Sequence, residues 1–433
     1  MSIVRRNLAI GFVLLSCSLA PVPAQEAALA PGWVSEAVAA AAPVLHARSA
    51  ILVDVRTGTV LCEKRADWII PPASLTKIMT IHLALKAQAE GRLSLEERFV
   101  PGPESWAANM PPRSSLMFLG PGQNVSVREI LRGLAVSSGN DAAVALAHRM
   151  AGSVPAFAEM MNREAVAQGL PELYFVEPAG LSGNNRITAR AFAEFSRRYI
   201  ARWPSALPEL HAVREFTYPT ESNYEGPMQG GSITQANRNR LLWDYPEVDG
   251  LKTGYIRQSG FNLALTARRE DFRLVAVILG VPGENVREGQ ERFAADGRAL
   301  LDYGFAAFAP AAAPRLELPP VRVYGGRART LTAAADPPLP DMVIIERGAP
   351  GEVGAEVRIA AWLEAPVAPG ERVGEVAYLS GGRVIKTVEL LAAREVPPGG
   401  ALRRAAGRLL VLMRRLFRGQ SPGQLVRLEV PPL

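Results

Sequence analysis

The chain has 433 residues, 48% hydrophobic and 21% charged, with 48 Lys+Arg against 42 Asp+Glu and a formal net charge of +6. That composition excludes a largely disordered chain, and the length exceeds what one compact core usually organises, so two domains are expected. The slight basic excess suits an anionic surface or polymer at least as well as nucleic acid, and by itself it selects no partner.

Taken in chain order, the first signal is a leader. Arg5 and Arg6 precede the apolar run 8–15, and Val22-Pro23-Ala24 supplies small residues for cleavage, so residues 1–24 read as a signal peptide. Leu14-Leu15-Ser16-Cys17 also resembles a lipobox, which would make Cys17 a lipidated terminus; Leu15 at its second position is atypical, so cleavage near residue 24 is the preferred reading and lipidation the competing one. If Cys17 leaves with the leader, Cys62 is alone and no intramolecular disulfide forms. Residues 50–64 hold two β-rich runs around Thr57-Gly58 and predict a hairpin. From about 74 to 200 the apolar spacing is mostly helical, and strand signals return at 251–253, 262–267 and 274–279. Strands at both ends with helices between them predict an α+β domain whose sheet joins sequence-distant segments.

An Ala/Pro-rich stretch at 306–314 reads as a linker. Beyond it, short strand candidates at 321–324, 342–345, 357–363, 373–379 and 384–391, with a Gly381-Gly382 turn, predict a small all-β sandwich. Residues 401–418 place Leu402, Ala405, Leu409, Leu412, Met413 and Leu416 at three- and four-residue spacing among Arg403, Arg404, Arg408, Arg414, Arg415 and Arg418. A basic amphipathic helix of this kind lies in a membrane interface beside anionic lipid; a helix packed on the β-domain is the plainer alternative. The expected organisation is a leader at 1–24, a catalytic domain at 25–308, a β-sandwich at 309–397, an anchor helix at 398–418 and a tail at 419–433.

Three short motifs carry the chemistry: Ser74-Leu75-Thr76-Lys77, Ser138-Gly139-Asn140 and Lys252-Thr253-Gly254. Each alone is weak, and their order and separation make them informative. A serine hydroxyl needs a neighbouring base, and residues three apart on a helix face one side, so Lys77 reaches Ser74. Burial and a second cation, with Lys252 the obvious one, would lower the lysine's pKa. Ser138 is placed to relay a proton to the leaving amine, and Asn140 to hold a substrate peptide group. The third motif lies on a predicted strand along which a substrate backbone can add, with Gly254 leaving room, Lys252 and Thr253 facing a carboxylate, and the N–H groups of Ser74 and Tyr255 forming an oxyanion hole. His82, His148 and His211 have no metal-ligand spacing, Met160 and Met161 read as core filler and Cys62 as a buried small hydrophobe. No metal or other cofactor is expected.

Extended to Pro72-Ala73-Ser74-Leu75-Thr76-Lys77-Ile78-Met79-Thr80, Ser138-Gly139-Asn140-Asp141-Ala142-Ala143 and Val248-Asp249-Gly250-Leu251-Lys252-Thr253-Gly254-Tyr255, the motifs make the chain resemble the D-alanyl-D-alanine carboxypeptidases, the low-molecular-mass penicillin-binding proteins. The resemblance covers nearly the whole chain beyond the leader. It implies a β-lactamase/transpeptidase-like domain, antiparallel sheet flanked by helices, followed by a β-domain and an anchor. It also implies hydrolysis of the last D-Ala-D-Ala bond of peptidoglycan pentapeptides in the periplasm, and acylation by β-lactams. By the same resemblance Ser74 is acylated, Lys77 is the base, Lys252 is the carboxylate-side cation, Arg238 lines the site, and Arg292 or Arg287 helps hold the terminal carboxylate, Arg292 being preferred. Tyr255 stands where some members carry histidine. A DD-endopeptidase shares all three motifs. A β-lactamase fits less well, because no Glu-x-x-Leu-Asn segment separates the second and third motifs, and an inert wall-binding protein would have lost a motif. Nucleic acid is not among the expected partners.

Overall fold

The computed structural model of the chain describes residues 42–228, 230–349, 351–418 and 421–430. The expected leader and Cys17 lie outside the described residues. Ser49–Asp54 (β1) and Val60–Lys64 (β2) form the predicted hairpin. Its turn is closed by Asp54, whose carboxylate accepts from the Thr57 backbone N–H and hydroxyl at 2.6 Å each. Helices Lys77–Ala89 (α1), Asn140–Ala151 (α2), Val154–Ala167 (α3) and Ala189–Arg202 (α4) occupy the middle of the chain. The strands Val248–Ile256 (β3), Gly260–Arg269 (β4) and Phe272–Val281 (β5) then return to the hairpin.

The sheet order is β2-β1-β5-β4-β3, every pair antiparallel, so residues 49–64 and 248–281 share one sheet across about two hundred intervening positions. Successive strand residues point to opposite faces. Ile51, Val53, Val275 and Val277 pack into the core shared with α1 to α4, while Leu52, Leu274, Ala276 and Ile278 pack against Val286–Ala307 (α5) through Phe293, Leu300, Leu301 and Phe305. Both faces are covered, which is why β5 reads as a nearly unbroken apolar run. Each such buried side chain contributes roughly 1.5–3 kcal/mol. β3 is left at the edge, with one ladder made to β4 and its other edge outward.

The expected linker is not one. α5 runs to Ala307, and Phe308–Ala312 (β6) follows at once, pairing antiparallel with a later strand of the β-domain, Phe308 opposite Glu346 and Ala312 opposite Met342. Alanine and proline composition resembles a linker, but an edge strand tolerates Pro310 because one side of its backbone needs no ladder. The β-domain contains Val321–Tyr324 (β7), Ala333–Asp336 (β8), Met342–Glu346 (β9), Gly354–Ala360 (β10), Arg372–Ser380 (β11) and Arg383–Ala392 (β12). Its sheets enclose a separate core around Val357, Val376, Tyr378 and Leu390. The domains touch: Ile344 of β9 packs into the core beneath α5, and Lys386 donates to the Thr57 carbonyl.

The amphipathic segment is a helix, Ala401–Arg418 (α6), seated on β7 by its basic side. Val411 and Gly407 are buried, the backbone at Gly407 lies against Gly325, the Arg414 guanidinium sits 5.6 Å over the Tyr324 ring, and Arg403 donates to the Arg327 carbonyl at 2.6 Å. The apolar stripe faces away, with Leu402 89%, Leu409 61%, Leu416 69% and Phe417 76% exposed. No helix among the described residues is long and apolar enough to cross a membrane. The expected tail is also partly structured: Leu425–Val430 (β13) returns to pair antiparallel with β10, extending that sheet to β8-β12-β11-β10-β13. The alternation of Val426, Leu428 and Val430 with Arg427 and Glu429 was too short a pattern beside a helix signal to reveal this, and the pairing partner lies some seventy positions earlier.

Candidate active site

Ser74 sits on a 3-10 turn, Ala73–Thr76, that runs directly into α1. In a 3-10 turn, positions i and i+3 eclipse one another, which brings Lys77 under Ser74 more closely than a regular helix would. Lys77 Nζ donates to Ser74 Oγ at 3.0 Å. The turn is held from three directions. Asn262 of β4, fully buried, donates to the Pro71 carbonyl at 3.0 Å. Gly254 of β3 packs so closely that a Cβ there would lie 2.8 Å from the Ser74 nitrogen. Gly180, at φ +81°, meets Ala73, itself at φ +51°; a Cβ on Gly180 would fall 1.8 Å from the Ala73 carbonyl oxygen. Such a backbone persists only when its surroundings hold it there.

Lys77 is fully buried, and its amine makes two further hydrogen bonds, to Asn140 Oδ1 at 2.8 Å and to the Ala179 carbonyl at 2.5 Å. Burial pushes its pKa down to about 7; Arg238 pushes the same way, while the carboxylates of Glu177 and Asp141 oppose. Lys252, also buried, donates to its neighbour's Thr253 carbonyl at 3.0 Å and is held well below the ordinary lysine value by burial first, then by Lys77 and Arg238. Desolvation therefore tunes both amines; the mutual repulsion of Lys77 and Lys252 is the one expected from the sequence, and Arg238 adds a further cation acting on both. Arg238 donates to Ser115 Oγ at 2.7 Å. Its side chain is open to solvent, and the protein around its guanidinium lowers its pKa by desolvation.

Ser138 and Asn140 come from the end of a π-helical turn and the first residue of α2. Ser138 takes a left-handed φ of 56°, which turns the chain sharply and leaves the residue buried at 2% exposure. Among the described residues, the hydrogen bonds of Lys77 Nζ go to Ser74, Asn140 and Ala179, and Ser138 is not one of them. Asn140 thus gives its side-chain oxygen to the amine. Thr253 is nearly buried on β3, and Tyr255 is half exposed with its ring 4.4 Å from that of Phe261. Ser74, half-buried, is the most open member of the first two motifs.

The two late arginines make their contacts on and beside α5. Arg292, on the first turns of α5, pairs with Glu288 at 2.6 Å and donates to the Pro282 carbonyl; Arg287 pairs with Glu291 and is 85% exposed. Neither has a motif residue among its hydrogen-bond or ion-pair partners. The i,i+4 glutamates on α5 claim them, which the motif letters did not reveal.

Two residues to which the sequence assigned no role organise the site. Asp141, buried at the start of α2, accepts from the backbone N–H groups of Met117, Phe118, Leu119 and Ala142, fixing the 115–119 wall that carries Ser115. Glu177 does the same for the loop bearing Ala179. Asp141 directly follows a motif and was legible as a helix-start carboxylate; Glu177 acts on a lysine whose partner Ala179 is 102 positions away, and no spacing rule points to it. His82 is a buried helix residue, donating from Nε2 to Glu164 at 2.9 Å and accepting at Nδ1 from Trp203, and Cys62 is buried in β2, as expected of both.

A serine and a buried, partly deprotonated lysine one 3-10 turn apart, beside a lysine-bearing edge strand, define a serine peptidase that forms an acyl-enzyme. The sequence pattern of the family described as D-alanyl-D-alanine carboxypeptidase matches residues 36–283, and that of the penicillin-binding protein 5 C-terminal domain matches residues 317–398. The chain is 32% identical to the D-alanyl-D-alanine carboxypeptidase DacA of Haemophilus influenzae over 87% of its own length and 91% of the relative's. It is 33% identical to DacC of Escherichia coli over 83% and 86%. The crystal structure of penicillin-binding protein 5 from Haemophilus influenzae superposes with a TM-score of 0.69 at 32% identity, covering 82% of this chain and 98% of that one. The chain belongs to the D-alanyl-D-alanine carboxypeptidase family, as a serine-type hydrolase with the penicillin-binding protein β-domain.

Proposed function

We propose that the chain removes the terminal D-alanine from peptidoglycan pentapeptides through an ester on Ser74. Neutral Lys77 takes the Ser74 hydroxyl proton as Oγ bonds to the carbonyl carbon of the penultimate D-alanine. The tetrahedral oxyanion rests on the N–H groups of Ser74 and Tyr255. The C–N bond breaks, and the proton reaches the departing amine from Lys77 by way of Ser138. Water then attacks the ester carbonyl, with its proton taken by Lys77; the bond from that carbon to Ser74 Oγ breaks, Lys77 returns the proton to Oγ, and the shortened peptide leaves as its carboxylate. Asn140 holds Lys77 through its oxygen and offers its amide N–H2 to the substrate chain. That chain lies along the open edge of β3, where Gly254 leaves room. Lys252, Thr253 and Arg238 receive the terminal carboxylate; Arg292 is a lesser candidate because Glu288 already engages it. β-Lactams acylate the same serine. The observation that carries this reading is the 3.0 Å contact between a fully buried amine and the Ser74 hydroxyl.

The same proposal places the protein in the periplasm, exported by residues 1–24 and held peripherally on the inner membrane by α6. The outward apolar stripe and flanking arginines of α6 support attachment, and the plainer alternative, a helix packed on the β-domain by its apolar side, has the opposite facing.

The test is labelling by a fluorescent penicillin together with assay of D-alanine release from a pentapeptide. Wild type should do both, and Ser74→Ala, folded by circular dichroism, should do neither. Labelling that persists in Ser74→Ala overturns the assignment, while labelling with cleavage of cross-linked dimers and no D-alanine release moves the reading to an endopeptidase.

A further inference from the structure

The loop 177–185 closes over the amine from the side opposite Asn140. Glu177 gathers it: its carboxylate oxygens accept from the backbone N–H groups of Ala179 at 2.7 Å, Gly180 at 2.8 Å and Ser182 at 3.2 Å, and from Asn185 Nδ2 at 3.0 Å. Asn185, fully buried, also donates to Thr76 Oγ1 at 3.1 Å and accepts from the Val176 N–H at 2.8 Å, tying the loop to the nucleophile's own turn. Thr80 of α1 donates to the Pro178 carbonyl at 2.8 Å. The outcome of these ties is the Ala179 carbonyl 2.5 Å from Lys77 Nζ, and Gly180 wedged against Ala73.

Resting on the reading that Ser74 is the nucleophile and Lys77 its base, we propose that Glu177 is a positioning residue for acylation. Its carboxylate sets both the place of the Ala179 carbonyl over the Lys77 amine and the negative charge facing that amine. The four named donors converge on the carboxylate and hold it in place. The charged groups facing Lys77 are Glu177 from this loop, Asp141 from α2, Arg238 from the segment before β3, and Lys252 from β3. Two cations therefore oppose two carboxylates, and Glu177 is the stronger of the two that favour the ammonium. Removing it leaves a surplus of positive neighbours and favours the neutral amine.

The experiment is the pH dependence of penicillin acylation in wild type, Glu177→Gln, Glu177→Asp and Asn185→Ala, with Ser74→Ala as the unlabelled control. Glu177→Gln keeps the side chain's length and loses its charge, so the acid limb should move to lower pH by about one unit, with a slower plateau. Glu177→Asp and Asn185→Ala keep the charge and loosen the loop, so the plateau should fall about tenfold or more with the limb unmoved. A purely structural role would lower the plateau in all three with no shift in Glu177→Gln, and that result overturns the proposal, as does a wild-type profile in Glu177→Gln. Should Glu177→Gln not fold, Asn185→Ala decides: acylation at the wild-type rate, or a lowered plateau that comes with a lowered thermal stability, overturns the positioning role, and a lowered plateau at wild-type thermal stability upholds it. A wild type that penicillin does not label removes the underlying reading as well, an outcome distinct from any of these.

Discussion

If Lys77 is the base that activates Ser74, acylation must follow the deprotonation of one buried amine. Its pKa is pushed down to about 7 by burial, from an ordinary value of 10.5. The neutral form then makes up roughly a tenth of the enzyme at pH 6 and roughly nine tenths at pH 8. The second-order rate of penicillin acylation, measured by stopped incubation with a fluorescent penicillin, should rise about tenfold between those values and flatten above. An unburied lysine would give only traces of neutral amine throughout this range, with a limb above pH 9. His211, packed behind the Lys252 strand with its Nδ1 on the Leu251 carbonyl, does not mimic the limb, because burial holds it down to about 4. The same shift appears in stability. Between about 7 and 10.5 the unfolded chain holds a proton on this lysine that the folded chain lacks, so Lys77 makes the fold more stable as pH rises through that window. A rate that is flat from pH 6 to 8, or one that rises only above pH 9, would refute the assignment of Lys77 as the base.

Lys252→Arg keeps the charge, but the residue is 3% exposed and a planar guanidinium does not fit its space; kcat/KM for pentapeptide should fall about a hundredfold, and wild-type turnover would show that charge alone suffices. Gly180→Ala sets a Cβ against the Ala73 carbonyl at φ +81°, so it should destabilise the domain by about 2 kcal/mol or more and abolish labelling, checked by chemical denaturation and fluorescent penicillin. Attachment is best tested on the outward face of α6, because truncation before Ala401 would also delete β13 and bare the edge of β10. Leu409→Asp with Leu416→Asp should weaken binding to anionic vesicles more than about a hundredfold, at about 2 kcal/mol per leucine, while hydrolysis of a soluble pentapeptide stays unchanged; undiminished sedimentation with vesicles would remove α6 as the anchor.

Local chemistry makes much of this protein readable along the chain. The hairpin at 50–64, the strands at 262–267 and 274–279, the β-domain strands and the helix at 401–418 all follow from periodicity and turn residues, whose physics acts over a few positions. The three motifs are legible for the same reason, since Ser74 and Lys77 are neighbours on one turn and Lys252, Thr253 and Gly254 lie on one strand. What linear pattern did not decide was everything set by approach across the fold. Composition made 306–314 a linker, while pairing with residues 342–346 made most of it a strand. The last residues became an edge strand because β10 offered an open ladder. Arg292 fitted a position in the sequence, and the fold pairs it with Glu288 one turn earlier on its own helix. Arg238 came to face Lys77 as a further lowering cation beside Lys252, and Glu177 came to stand over the base because buried Gly180 and Asn185 let a distant loop close there. Desolvation is the reason these differ: it depends on what surrounds a charge in space, and no spacing along the chain encodes that.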